Sequence, residues 1–144
     1  MNIRPKILKG KSHSDARGTL VFNNDYNAIE VKRIYFIENK DTNFIRGWQG
    51  HQIEQRWFSS VQGSFKITTM PLKDWENPIE IDGEERFILN ASSFDVLHVP
   101  NGYVTSIQAL EEKSRLMALS DYGLGEIQDE YRFPIDSFLS GTKK

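Results

Sequence analysis

Apolar residues along this chain come in short alternating runs, and no stripe of helical spacing extends beyond two turns. Gly, Pro, Asn or Asp interrupt the runs about every 8–12 residues, the spacing of strands in a sandwich or barrel. The pattern predicts strands over Val31–Ile37, Gly47–Gln52, Arg56–Val61, Ser64–Met70, Arg86–Leu89, Asp95–Val99, Tyr103–Leu110 and Ser114–Ser120. Asn39-Lys40-Asp41 reads as a turn and Gly63 as a tight hairpin between two strands. Pro71 to Pro78 reads as a loop packed down by Trp75, and Gly125–Tyr131 is the best short helix candidate. With no repeat, linker or low-complexity run, the expectation is one all-β domain over residues 1–144. Its core runs from about 7 to 138, and the tail after Phe138 is free to fray.

Composition narrows the chemistry. A chain of 144 residues is about one domain's worth, and at that size roughly two-thirds of the unfolded surface can be buried without a staple. Cysteine is absent, which removes disulfides, thiolate metal sites and cysteine nucleophiles, and fits the cytoplasm. The basic start, Met1 to Lys11, lacks the apolar run of a signal peptide, and no segment approaches a membrane span. Eighteen Lys and Arg against twenty Asp and Glu argue against a nucleic-acid partner. A single diphosphate needs only a few placed arginines.

Four constellations carry candidate chemistry. Asp15-Ala-Arg17-Gly18-Thr-Leu20 is by itself a turn whose arginine pairs with its aspartate. Arg33 and Tyr35 share one face of a strand, opposite Ile34 and Phe36; that face lines either a barrel or solvent. In Arg46-Gly47-Trp48-Gln49-Gly50-His51, the same period places Gln49 and His51 together. An imidazole titrates near neutral pH, so His51 is either a structural histidine or a general base. Two glycines, Gln49 and Arg46 beside it favour the base, since glycine in a strand often marks a close approach. After the Pro100-Asn101-Gly102 turn, Tyr103 and Thr105 share a face. His98 reads as structural or exposed. A metal site would have to recruit His13 from the flexible start and is not expected.

In order, Asp15-Ala-Arg17-Gly18, Lys32-Arg33-Ile34-Tyr35, Arg46-Gly47, His51, Gly63-Ser64, Val99-Pro100-Asn101-Gly102-Tyr103 and Ser120-Asp121-Tyr122 resemble the cupin nucleotide-sugar family. That family includes the dTDP-4-dehydrorhamnose 3,5-epimerases and the dTDP-6-deoxyhexose 3,4-ketoisomerases. The resemblance covers Ile7 to Phe138 and implies a double-stranded β-helix, the cupin jelly-roll barrel. Gln49 stands where the family's first histidine, the epimerase base, is found. His51 stands at the second position, histidine in the ketoisomerases, and Thr105 replaces a further family histidine. These departures lean towards the ketoisomerase branch.

The resemblance implies a metal-free and cofactor-free isomerase or epimerase, acting on a dTDP-linked 4-keto-6-deoxyhexose by proton abstraction next to the ketone. The product would be a deoxysugar for surface polysaccharide. His51 is the expected base or proton shuttle, with Tyr35 or Tyr122 as the acid. Arg33 and Arg46 would meet the diphosphate or enediolate, and Gln49, Tyr103 and Thr105 would contact the substrate. One alternative is a family barrel that binds a sugar nucleotide without turnover, because an amide at Gln49 cannot accept a proton; another is a cupin with unrelated small-molecule chemistry. A homodimer is expected, with Met1 to Leu20 the segment that joins the copies.

Overall fold

The structure is a computed structural model that describes residues 3–76, 78 and 82–138. Its strands are β1 (Lys6–Leu8), β2 (Lys11–Asp15), β3 (Gly18–Phe22), β4 (Arg33–Ile37), β5 (Ile45–His51), β6 (Arg56–Gln62), β7 (Ser64–Pro71), β8 (Glu85–Asn90), β9 (Val96–Val99), β10 (Tyr103–Ala109), β11 (Arg115–Ser120) and β12 (Tyr131–Phe133). One sheet has the order β1-β9-β6-β11-β4, the other β12-β5-β10-β7-β8, and β2-β3 forms a separate hairpin. All pairs are antiparallel. The two sheets face each other as the jelly-roll barrel the sequence implies.

Alternation decides what lies between the sheets. Phe65 and Ile67 on β7, Phe58 on β6, Ile107 on β10, Leu116 on β11 and Leu97 on β9 meet in one buried cluster. Each such side chain fully withdrawn from water stabilises by about 1.5–3 kcal/mol. The residues between them face outwards. Outside the β5 sheet, Trp48, Met70, Leu72, Trp75 and Val104 form a second cluster under Tyr131 and Phe133. Trp75 therefore does pin the loop after Pro71, and it does so against Gly50. A Cβ at Gly50 would stand 2.6 Å from Tyr103 O and 2.9 Å from the Trp75 ring. This glycine admits a tryptophan from outside the barrel rather than a ligand from within.

All eight predicted strands are present, with ends moved by one or two residues. Two expectations change, and one hairpin is new. Gly63 (φ 70°) is a corner rather than a hairpin, because β6 ladders with β9 and β11 while β7 ladders with β8 and β10. A side chain there would also collide with Ser114. Gly125–Tyr131 is not a helix: Gly125 has φ 78°, the Glu126 carboxylate accepts from Gly123 N at 2.6 Å, and Tyr131 opens β12. The Asp15-Ala-Arg17-Gly18 turn joins β2 and β3, a hairpin that the sequence pattern does not announce. Among the described residues no helix is long and apolar enough to cross a membrane. The tail after Phe138 lies outside the described residues.

Candidate functional site

The apolar filling occupies one end of the barrel, and the same inward faces turn polar towards the other. Strand neighbours in register share a face, so pairing reads out whole rows. On the β5 sheet one row runs Arg132, Gln49, Thr105, Thr69, Glu85. The next pairs His51 with Tyr103. Facing them, the β6 sheet presents Arg33, Ser120, Arg56 and Val99 in one row. Tyr35 lies one step deeper, two residues from the core residue Ile37. Beside β1 and β8 the barrel is bridged by the first described residues: Arg4 pairs with Glu85 at 3.3 Å, and Tyr103 Oη donates to Ile3 O at 3.5 Å.

His51 is buried at the end of β5. Its Nδ1 lies 2.9 Å from the Asp129 carbonyl, so Nδ1 carries the proton and donates it there. Nε2 is then the basic nitrogen. Asp129 is itself fixed, its carboxylate accepting from the backbone N–H groups of Gln52, Ile53 and Glu54 at 2.8–2.9 Å. Asp121 accepts from Gln55 N at 2.9 Å in the same way. The segment between β11 and β12 thus holds the loop between β5 and β6, and through it the imidazole.

Arg56 completes the cluster. Its Nη1 donates to His51 Nε2 at 2.6 Å, and its Nη2 donates to Tyr35 Oη. The phenol accepts there, which leaves its own proton free to be donated elsewhere. Burial, reinforced by the charge on Arg33 and partly offset by Glu130, pushes the Arg56 guanidinium down to about 10. Arg33 stacks on the Tyr35 ring, its guanidinium carbon 4.6 Å from the ring centroid. Burial, followed by the Glu85 charge and opposed by Arg4, raises the Tyr103 phenol. Arg56 Nε and Thr69 Oγ1 are both buried with no hydrogen-bond partner, two polar atoms left open in the polar half of the barrel.

The structure therefore brings Arg33, Tyr35, Gln49, His51, Tyr103 and Thr105 onto the inward faces at one end. Arg46 stands apart from that end. A shift of register between Thr105 and Ile107 places it opposite Ile107, with its Nε donating to Asn39 Oδ1 at 3.3 Å. It lines a cavity of about 270 Å³ with Phe44, Gln49, Arg132 and Phe133. Tyr122 lies just past β11 with the Lys32 ammonium 5.9 Å from its ring centroid; no described contact joins it to His51, Arg56 or Tyr35. His98 is structural: it stacks on Trp57 at 5.3 Å outside the barrel, and its Nε2 lies 2.7 Å from Gln55 Oε1. Among the described residues no group of three or more His, Cys, Asp or Glu is arranged to hold a metal ion.

Sequence reasoning missed Arg56, Asp129, Thr69 and Arg132. For Arg56 the signal was present, because the period that places Phe58 in the core also turns Arg56 inwards. For Asp129 no local pattern gives it away, since its partners lie 75 to 78 residues earlier.

Residues 3–141 match the family model described as FdtA: WxcM-like, C-terminal. No curated protein matches the chain significantly. Among solved structures, QdtA, a sugar 3,4-ketoisomerase from Thermoanaerobacterium thermosaccharolyticum in complex with TDP, is similar at 22% identity and TM-score 0.71, over 92% of this chain and 90% of that one. The WlaRB TDP-quinovose 3,4-ketoisomerase from Campylobacter jejuni is 25% identical with TM-score 0.64, over 94% and 97%. The rmlC epimerase from Mycobacterium tuberculosis is 15% identical with TM-score 0.73, over 94% and 74%.

Proposed function

The chain belongs to the FdtA family of WxcM-like C-terminal domains, and on that premise we propose that it isomerises or epimerises a dTDP-linked 4-keto-6-deoxyhexose. The observation that carries the reading is the cluster of His51 Nε2, the Arg56 guanidinium and the Tyr35 phenol in one polar half-barrel. Similar folds belong to proteins described as 3,4-ketoisomerases and an epimerase, one of them in complex with TDP.

The chemistry follows from what each group can do. His51, held as the Nδ1–H tautomer, takes a proton at Nε2 from the carbon next to the ketone. The C–H electron pair becomes the new double bond and the carbonyl oxygen becomes an enolate. Arg56 is the nearest cation for that oxygen, and its partly desolvated charge acts more strongly there than in water. Return of a proton to the opposite face of the carbon inverts it. Return instead to the former carbonyl carbon moves the ketone, as the hydroxyl on the first carbon gives its proton to the old carbonyl oxygen and becomes the new carbonyl. Tyr35 is the acid for that return, with Tyr122 the second candidate at the rim. Arg33 takes the diphosphate, joined by Arg132 on the row of Gln49, and Arg46, which stands apart from that end, does not join them. Gln49, Thr105 and Tyr103 orient the sugar. The barrel works as one domain and as a homodimer, in the cytoplasm, supplying a deoxysugar for surface polysaccharide.

Incubation with dTDP-4-keto-6-deoxyglucose in deuterated water tests this. Proton NMR is expected to show deuterium entering the carbon next to the ketone. Gln49 at the family's base position supports a second reading, a sugar-nucleotide binding barrel, which tight binding with no deuterium uptake would establish instead.

A further inference from the structure

The contact that assembles the site also obstructs it. A base must offer an in-plane lone pair to the C–H it attacks. Here the Nδ1 side of His51 is committed to the Asp129 carbonyl at 2.9 Å, so Nε2 holds the only such pair on the ring. That pair accepts from Arg56 Nη1 at 2.6 Å. His51 cannot both accept that bond and take a proton from carbon.

The surroundings show why the cap forms and what can lift it. Arg56 is a buried cation whose nearest carboxylate oxygen is Glu54 Oε2, 3.9 Å from its Nε. With no hydrogen bond at that Nε, its two strong bonds go to neutral acceptors, the imidazole and the Tyr35 hydroxyl. Arg33 adds a second positive charge from β4, while Glu54 and Asp129 stand 3.9 Å from the far side of the imidazole. A guanidinium held by neutral acceptors exchanges one of them readily for an oxygen that carries, or is acquiring, negative charge.

We propose that Arg56 caps His51 in the empty barrel, and that a keto oxygen of the bound sugar draws the guanidinium off Nε2 and so uncovers the base. The cap fixes the ring with Nε2 aimed into the lumen and keeps it from idle proton traffic until substrate arrives. Displacement costs little because one hydrogen bond to Arg56 replaces another, and the Tyr35 bond holds the guanidinium nearby. This rests on the reading of His51 as the base, and it explains how an arginine is tolerated against a base.

Nitrogen NMR of protein labelled with ¹⁵N-histidine tests it without relying on turnover. In the free protein, Nε2 of His51 is expected at the upfield position of a hydrogen-bonded, unprotonated ring nitrogen, with Nδ1 protonated. Saturating dTDP leaves that signal in place, whereas dTDP-4-keto-6-deoxyglucose moves it downfield. Arg56→Met moves it downfield with no ligand, while Nδ1 stays protonated through Asp129. A wild-type signal already at the free position overturns the cap, even if Arg56→Met fails to fold. A cap that persists with the keto sugar bound, while deuterium enters the sugar, overturns the release. A protein that shows the cap and its release by the keto sugar yet exchanges no deuterium keeps this inference and loses the catalytic one.

Discussion

At the scale of single residues, His51 carries the strongest test. His51→Asn keeps the approximate size and one hydrogen bond to Asp129 but removes the proton acceptor at Nε2. General-base catalysis is worth about a hundred- to ten-thousand-fold, so solvent exchange should fall by that order while dTDP binding, followed by calorimetry, persists. Gln49→His places a second imidazole on the same face, and rates of deuterium uptake should hold or rise. An unchanged rate in His51→Asn would remove this residue from the mechanism and leave Tyr35 to be tested next. The faces of Arg33, Tyr35, Gln49, His51, Tyr103 and Thr105 were legible from period two alone, because a strand leaves each side chain only two directions. Whether those faces met in a lumen was not legible, since it depends on pairings between strands far apart in sequence. Arg56 fell between these cases: its face was readable, but only the neighbours supplied by β4 and β5 turn a buried arginine into part of a site.

At the scale of elements, the loop from Gln52 to Gln55 depends on two aspartates from the far end of the chain. Asp129→Ala leaves three backbone donors without their acceptor and frees the carbonyl segment that orients His51. At about 1–3 kcal/mol for the buried Glu54 donor left unpaired, with the part-buried Gln52 and Ile53 bonds adding less, thermal unfolding should show a loss of at least that size. Outside the β6 sheet, His98 gives the fold an acid-sensitive joint. Burial against Trp57, with Lys6 adding to it and Asp121 opposing, holds this histidine below its ordinary value. The unfolded chain therefore binds the proton more readily, so this stability is complete above about pH 6.5 and drains away as pH falls below it. Melting temperatures measured from pH 7.5 to 5 should drop less steeply in His98→Gln than in the wild type; parallel curves would assign the acid sensitivity elsewhere. The eight strands with clear alternation were visible in sequence because half-buried strands must alternate. The hairpin of β2 and β3 was not, because Lys-Ser-His-Ser-Asp at 11–15 has no apolar side at all. Gly63 was misread for a related reason: a turn between two strands reports its own backbone, not which sheet each strand joins.

At the scale of the whole molecule, that hairpin is the least explained piece of the fold. It forms its own two-stranded sheet, and all five residues of β2 are exposed. Isolated two-stranded hairpins are marginal in water, so a lasting one needs a surface to lie on. Leu20 is 62% exposed at the middle of β3, and on the outer face of the edge strand β4, Ile34 and Phe36 are 58% and 50% exposed. Among the described residues, strands β1, β4, β8 and β12 also stand at the edges of their sheets. Exposed apolar side chains beside open edges are what a second copy of the chain can cover, and a two-fold pair covers both sets at once. Sedimentation velocity at micromolar concentration is therefore expected to give a species of twice the 16.7 kDa chain mass. Replacing Leu20 and Phe36 together by glutamate should return it to the single-chain mass with the barrel's circular dichroism unchanged, because neither side chain belongs to the buried core. A wild type that sediments as a monomer at every concentration would leave the hairpin without its surface and argue against the paired assembly.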